Sequence, residues 1–273
     1  MFGERKRIVE LTGIGNAVGL NARRCIDRRE IPRFARNDEA TDSESQNLAV
    51  SKPIFTAEIF RFFQDLKKHN KKVWMDASRE RYQATVTKPF RRLLEELSPA
   101  LLKLDANFDV AARGGRNFSR INRDIRFAKD KTPYRAQMYV KCGVPLPGEM
   151  EGGEMYLGIS AEAVTCGFRI YAVPKRKHSP LALVAEPKLA ANPRFLALQK
   201  KRLAKKYDSY WYSMVKGEWT KNDGWPVVAD WPKLQAWIVR KKLAKSAVTR
   251  ASLTTDTAKI FRDLYPLLKF TSL

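Results

Sequence analysis

The apolar residues of this chain keep two different periods, and the order of those periods restricts the fold more than any other feature. Between Pro53 and Leu102 they recur every three or four positions, the spacing that gives a helix one apolar face. Thr56 is placed to cap a first helix carrying Ile59, Phe60, Phe63 and Leu66. Asp76 is expected to cap a second, through Tyr82 and Val86. Pro89 is expected to open a third bearing Phe90, Leu93, Leu94, Leu97, Leu101 and Leu102, kinked or divided at Pro99. Near Asn117 the period falls to two, the alternation of a strand. Asn117–Phe127, Tyr134–Cys142, "GEMYLGIS" and "TCGFRIYAV" all alternate, with Gly152, Gly153 and Gly167 read as turn or bulge positions.

Helical spacing returns beyond Pro180, over 181–185 and 193–206, then over "WPKLQAWIVRKKLA" capped by Asp230, and finally over "DTAKIFRDLYPLLKF" capped by Thr254 or Thr255. "YDSYWYSMVKGEWTKNDGWP" reads as an aromatic loop. Helices, then strands, then helices define the α+β class: a central antiparallel sheet of about four or more strands, flanked by N-terminal and C-terminal helices.

This pattern holds only from residue 53. Residues 1–52 show scattered charge and no sustained period, and Gly13-x-Gly15-x-x-x-Gly19 imitates a dinucleotide loop without a leading strand or a following acidic residue. The segment is expected to be a disordered tail or a start set too early, with Val50 as one candidate true start. Residues 53–273 are expected to form a single α+β domain. An apolar content of 44% with six Trp and fourteen Phe suits a sizeable core. No apolar run approaches the ~18–20 residues of a membrane span, so a cytoplasmic protein with no membrane partner is expected.

Cys25, Cys142 and Cys166 are widely spaced and odd in number, and His69 and His178 lack ligand-type neighbours, so neither disulfides nor a metal site nor a cofactor is expected. The net charge of +23 favours anionic partners. The densest charge lies in "RINRDIRFAKDKTPYR", residues 120–135. Read as a strand, it places Arg120, Asn122, Asp124 and Arg126 with Phe118 on one face, and Ser119, Ile121, Arg123, Ile125 and Phe127 on the other. Arg123 then either reaches the sheet edge or meets a carboxylate. Asp130 is expected to close the connecting turn through backbone N–H groups, with Pro133 fixing the next strand's entry.

The motif "NRDIRFAKDKTPYR", with Asn70, Trp74, Tyr82 and Pro89 before it and "LYPLLKF" at the end, resembles an uncharacterised bacterial and fungal family catalogued as a domain of unknown function. Its signature R-x-x-R-D-x-R-F-x-x-D-K-x-P-Y is matched at Arg120, Arg123, Asp124, Arg126, Phe127, Asp130, Lys131, Pro133 and Tyr134. The resemblance covers residues 53–273 and departs at His69, Met75 and Cys166-Gly167-Phe168. It implies no activity, so roles rest on the residues themselves.

Arg120, Arg123, Asp124, Arg126, Lys131 and Tyr134 are the candidate ligand-binding residues, their forked guanidinium donors suiting a phosphate or carboxylate. Asp124, Asp130 and Tyr134 are the weaker candidates for acid–base work. The alternative is a structural lattice of Arg–Asp pairs. A phosphorylated or otherwise anionic small molecule is thus one candidate partner. The rival is a nucleic acid held by the basic, aromatic-flanked runs "VPKRKH", "LQKKRLAKKYDSYWY" and "IVRKKLAKSAVTR".

Overall fold

Helix α1 (Glu58–Lys68) buries Ile59, Phe60, Phe62, Phe63 and Leu66, and the Thr56 hydroxyl accepts the Glu58 N–H at 3.4 Å as its first turn opens. These residues belong to a computed structural model that describes residues 52–144, 152–171, 187–215 and 218–272. The expected extension before Lys52, the expected helix at 181–185 and the run "VPKRKH" lie outside the described residues.

A short α2 (Lys72–Ala77) follows, with Asp76 inside it and not at its start. Then α3 (Arg79–Tyr82) leads through one π-helical turn, Gln83–Thr87, into α4 (Lys88–Leu104). Pro89 sits in the first turn of α4, as expected, but Pro99 neither divides nor ends the helix. Ser98 takes up a carbonyl one turn back, its hydroxyl donating to Leu94 O at 2.6 Å.

The sheet has six strands, all antiparallel: β1 (Gln137–Gly143), β2 (Glu154–Ser160), β3 (Val164–Tyr171), β4 (Asp208–Val215), β5 (Glu218–Asp223) and β6 (Leu234–Leu243), in the order β1-β2-β3-β6-β4-β5. Residues 187–191 form a helical turn and α5 spans Phe195–Leu203. A 3-10 turn, Val228–Lys233, precedes β6, and α6 (Lys245–Val248) leads to the long α7 (Leu253–Thr271). Met138, Val140, Cys142, Met155, Leu157, Cys166, Phe168, Trp237 and Val239 point to one face of the sheet. There they form a single core with Leu93, Leu97, Phe261, Leu264 and Leu268 of α4 and α7. Cys142 and Cys166 are free thiols in that core, and desolvation pushes the pKa of both up.

Three expectations change. "WPKLQAWIVRKKLA" is a 3-10 turn and the central strand β6, not a helix. Its Trp237, Ile238 and Val239 are all buried, Trp237 and Val239 in the core and Ile238 on the other face between Arg169 of β3 and Tyr210 of β4, and a continuous apolar run satisfies either period. The aromatic loop is the hairpin β4–β5. Asn117–Phe127 is not a strand: among the described residues it makes isolated bridges alone, from Phe118 to Gly114 and Val140 and from Asn122 to Tyr134. The alternation survives from Phe118 through Ile125 in irregular backbone, and Phe127, which it placed with the apolar face, is 94% exposed.

Candidate functional site

Beyond α4 the chain makes a loop held by three polar side chains. The Asp105 carboxylate accepts the Asn107 N–H and the Tyr265 hydroxyl. Asp109 accepts the Ala111 N–H and pairs with Arg113 and Arg116. Burial works to raise the pKa of Asp109, but that N–H and the two guanidiniums outweigh it and hold the carboxyl below its ordinary range. Asn117, fully buried, accepts the Arg113 N–H at 2.9 Å and donates to Asp109 O at 2.7 Å. The resulting turn forces Ala112 (φ 56°) and Gly115 (φ 82°) into the left-handed region, which glycine tolerates and alanine resists. With no side chain at Gly115, the Arg120 guanidinium lies directly over its backbone; a Cβ there would meet Nε at 3.0 Å.

The charged motif is largely closed on itself. Arg123 binds both Asp130 and the Thr132 hydroxyl. Asp130 also accepts the Thr132 N–H, the Asx-type closure expected of it. That bond, then Arg123 and the Thr132 hydroxyl, bring its pKa down to about 2. Arg126 and Asp124 form an exposed two-pronged pair at 3.0 and 2.8 Å. Lys131 donates to the carbonyls of Ile125 and Arg126 at 3.1 and 3.4 Å. Tyr134 is 9% exposed and packs in the core; its backbone N–H and C=O are both taken by Asn70, at 3.0 and 2.8 Å. This clamp ties Asn70, just beyond the end of α1, to the distant "KTPY" segment. Asn70→Ala should cost about 1–3 kcal/mol by leaving two backbone groups unmatched. The check is the urea midpoint, and an unshifted midpoint would make the clamp incidental.

Arg120 is the exception. It lines a cavity of about 380 Å³ with Arg79 and Tyr82 of α3, Thr87 of the π turn and Arg91 of α4, closed by Gly114, Gly115, Phe118–Asn122 and Met138. Arg91 stacks on the Phe118 ring at 5.8 Å and, like Arg120, has no carboxylate partner among the described residues. Arg79 is paired with Asp76 at 2.8 Å. The Tyr82 hydroxyl donates to Met138 Sδ at 3.8 Å, and desolvation raises its pKa against a smaller opposing effect of the Thr87 hydroxyl. Two uncompensated guanidiniums, a third beside them, and the neutral Thr87, Ser119 and Asn122 therefore face one space.

Arg79, Arg91 and Thr87 carried no sequence signal. Positions 82 and 87 are five apart, about 140° around an α-helix. The π turn between them returns both to one face.

The fold and cavity define an α+β domain whose N-terminal helices and arginine-rich loop wall one cavity. The chain belongs to the family described as conserved hypothetical protein (DUF2461), whose model matches residues 58–270. No curated protein and no solved structure matches the chain. Among the described residues no helix is long and apolar enough to cross a membrane.

Proposed function

We propose that this chain binds a phosphate-bearing or similarly compact anionic ligand in the Arg79–Arg91–Arg120 cavity. The observation that carries the reading is the uneven commitment of charge. Asp109, Asp124 and Asp130 are each engaged by arginine, while Arg91 and Arg120 line the cavity without a carboxylate. Guanidiniums that share one space without counter-charge repel each other less once an anion lies between them, and their planar forks match phosphate oxygens. Thr87, Ser119 and Asn122 supply neutral hydrogen-bonding groups for the remaining oxygens.

Of the motif residues, Arg120 is the direct ligand. Arg123, Asp124, Arg126, Lys131 and Tyr134 hold the hairpin that presents it. Asp130, ionised down to about pH 2 and bound to Arg123, is a poor proton acceptor near neutrality. Tyr134 is buried away from solvent, which leaves neither residue a direct part in chemistry.

A thermal-shift panel of inorganic phosphate, pyrophosphate and a nucleoside diphosphate tests the reading. A ligand at about a hundred-fold excess over its Kd should add about 2.7 kcal/mol of stability. The shift should vanish in Arg120→Ala. A panel without any shift, or an equal shift in that variant, would overturn the proposal.

A further inference from the structure

We infer that the face of the sheet turned away from the helices binds single-stranded nucleic acid. Register places Tyr139 and Tyr156, Arg169 and Tyr171, Arg240, Tyr210 and Tyr212, and Lys221 and Trp219 on that one face, reading from β1 to β5. A strand face turned from the core ordinarily carries small polar and charged residues; this one carries aromatic rings and cations.

The two halves of the face differ. On the β1–β3 side the Arg169 guanidinium lies 4.9 to 5.7 Å from the rings of Tyr139, Tyr156 and Tyr171 and donates to Glu154 at 2.6 Å. Its charge is compensated, and it props the rings upright. On the β6–β5 side Arg240 lies 4.9 Å from the Tyr210 ring, has no carboxylate partner among the described residues, and keeps a buried Nε without a hydrogen bond. Arg240, Lys221 and Lys242 line a cavity of about 440 Å³ together with Tyr210, Trp225, Asp208 and Asp223. Asp223 pairs with Lys221, which leaves Arg240 and Lys242 as its cations without an ion pair among the described residues.

Between the halves, Tyr171, Ala236, Tyr212 and Lys221 share one cross-strand row, and the small Ala236 leaves the flanking rings standing above the sheet. Tyr171 is 36% exposed and Trp219 is 44% exposed, with Trp219 5.8 Å from the Tyr212 ring. Rings at the surface beside Arg240 and Lys242, neither of them in an ion pair among the described residues, suit unstacked bases joined by phosphates, whereas a duplex hides its base faces and offers phosphate alone. Tyr171, Tyr212 and Trp219 stack the bases, and Arg240 and Lys242 neutralise the backbone. The occupant of this face shares no side chain with the Arg120 cavity.

Fluorescence anisotropy of the full chain with labelled DNA and RNA single strands of about twelve nucleotides, and with a duplex of the same length, decides the matter. One or both single strands should bind, more tightly than the duplex. The Tyr171→Ala/Tyr212→Ala variant should weaken binding at least about tenfold, since stacking contributes about 1–3 kcal/mol per base. The Tyr171→Phe/Tyr212→Phe variant should restore it, and Arg120→Ala should leave it unchanged. Preference for DNA or RNA identifies which strand is the partner. Equal affinity for the duplex, or an alanine variant that binds as the wild type does while melting normally, would overturn the inference and reduce the interaction to attraction by net charge.

Discussion

Gly167→Val is expected to leave no cooperatively folded protein. Gly167 lies in the middle of β3, paired with Arg240 of β6 at the junction of the two halves of the sheet. A Cβ at this position would stand 2.2 Å from Val239 O and 2.7 Å from Arg240 Cα. Both obstacles are backbone, so no rotamer change relieves the overlap and the two central strands must part. Gly158→Ala is the control. There the obstacle is the Tyr139 ring, at 2.2 Å, which can swing aside. Circular dichroism and urea unfolding should show loss of the transition in the first variant and a shifted but intact transition in the second. A cooperative transition in Gly167→Val near the wild-type midpoint would contradict the strand pairing.

Trp237→Ala should come next in severity. The indole is fully buried under the sheet, edge-on to Phe168, Trp225 and Trp231 at 5.7 to 5.8 Å, and its N–H donates to Ser209 Oγ at 3.0 Å. Truncating a buried Trp costs about 3–5 kcal/mol, against a total stability of about 5–15 kcal/mol for a domain. Urea midpoints measure the loss, and Trp237→Phe should recover part of it. A loss below about 1 kcal/mol would mean that the site collapses around the cavity or that the packing is looser than described.

Local periodicity made the α+β class and the strands β1, β2 and β3 readable. β1 and, apart from Gly167, β3 alternate between a core face and a half-exposed one, while β2, buried from Met155 to Ile159, keeps its core face in Met155, Leu157 and Ile159. It misassigned β6, whose Trp237-Ile238-Val239 is apolar on both sides, and β4–β5, whose Tyr-Trp-Tyr run mixes a core Trp211 with outward tyrosines. Strand pairing between distant segments decided those elements, and no local window carries that information.

The charged motif's alternation with one face outward was legible, although its backbone is irregular and not a strand, and Asp130's turn closure followed from its position. That Arg126 would spend its charge on Asp124, leaving Arg120 as the free cation, depended on the local fold of irregular backbone. Arg79, Thr87 and Arg91 were invisible for a sharper reason: their shared face exists only because one π turn interrupts α-helical phase.

On the proposed reading Arg120, and not the Asp124–Arg126 pair, receives the anion. Calorimetric titration of pyrophosphate into the wild type, Arg120→Ala and Arg126→Ala tests it most directly. Binding heat should disappear in Arg120→Ala and persist at near wild-type affinity in Arg126→Ala. Retention in Arg120→Ala, or loss confined to Arg126→Ala, would contradict it.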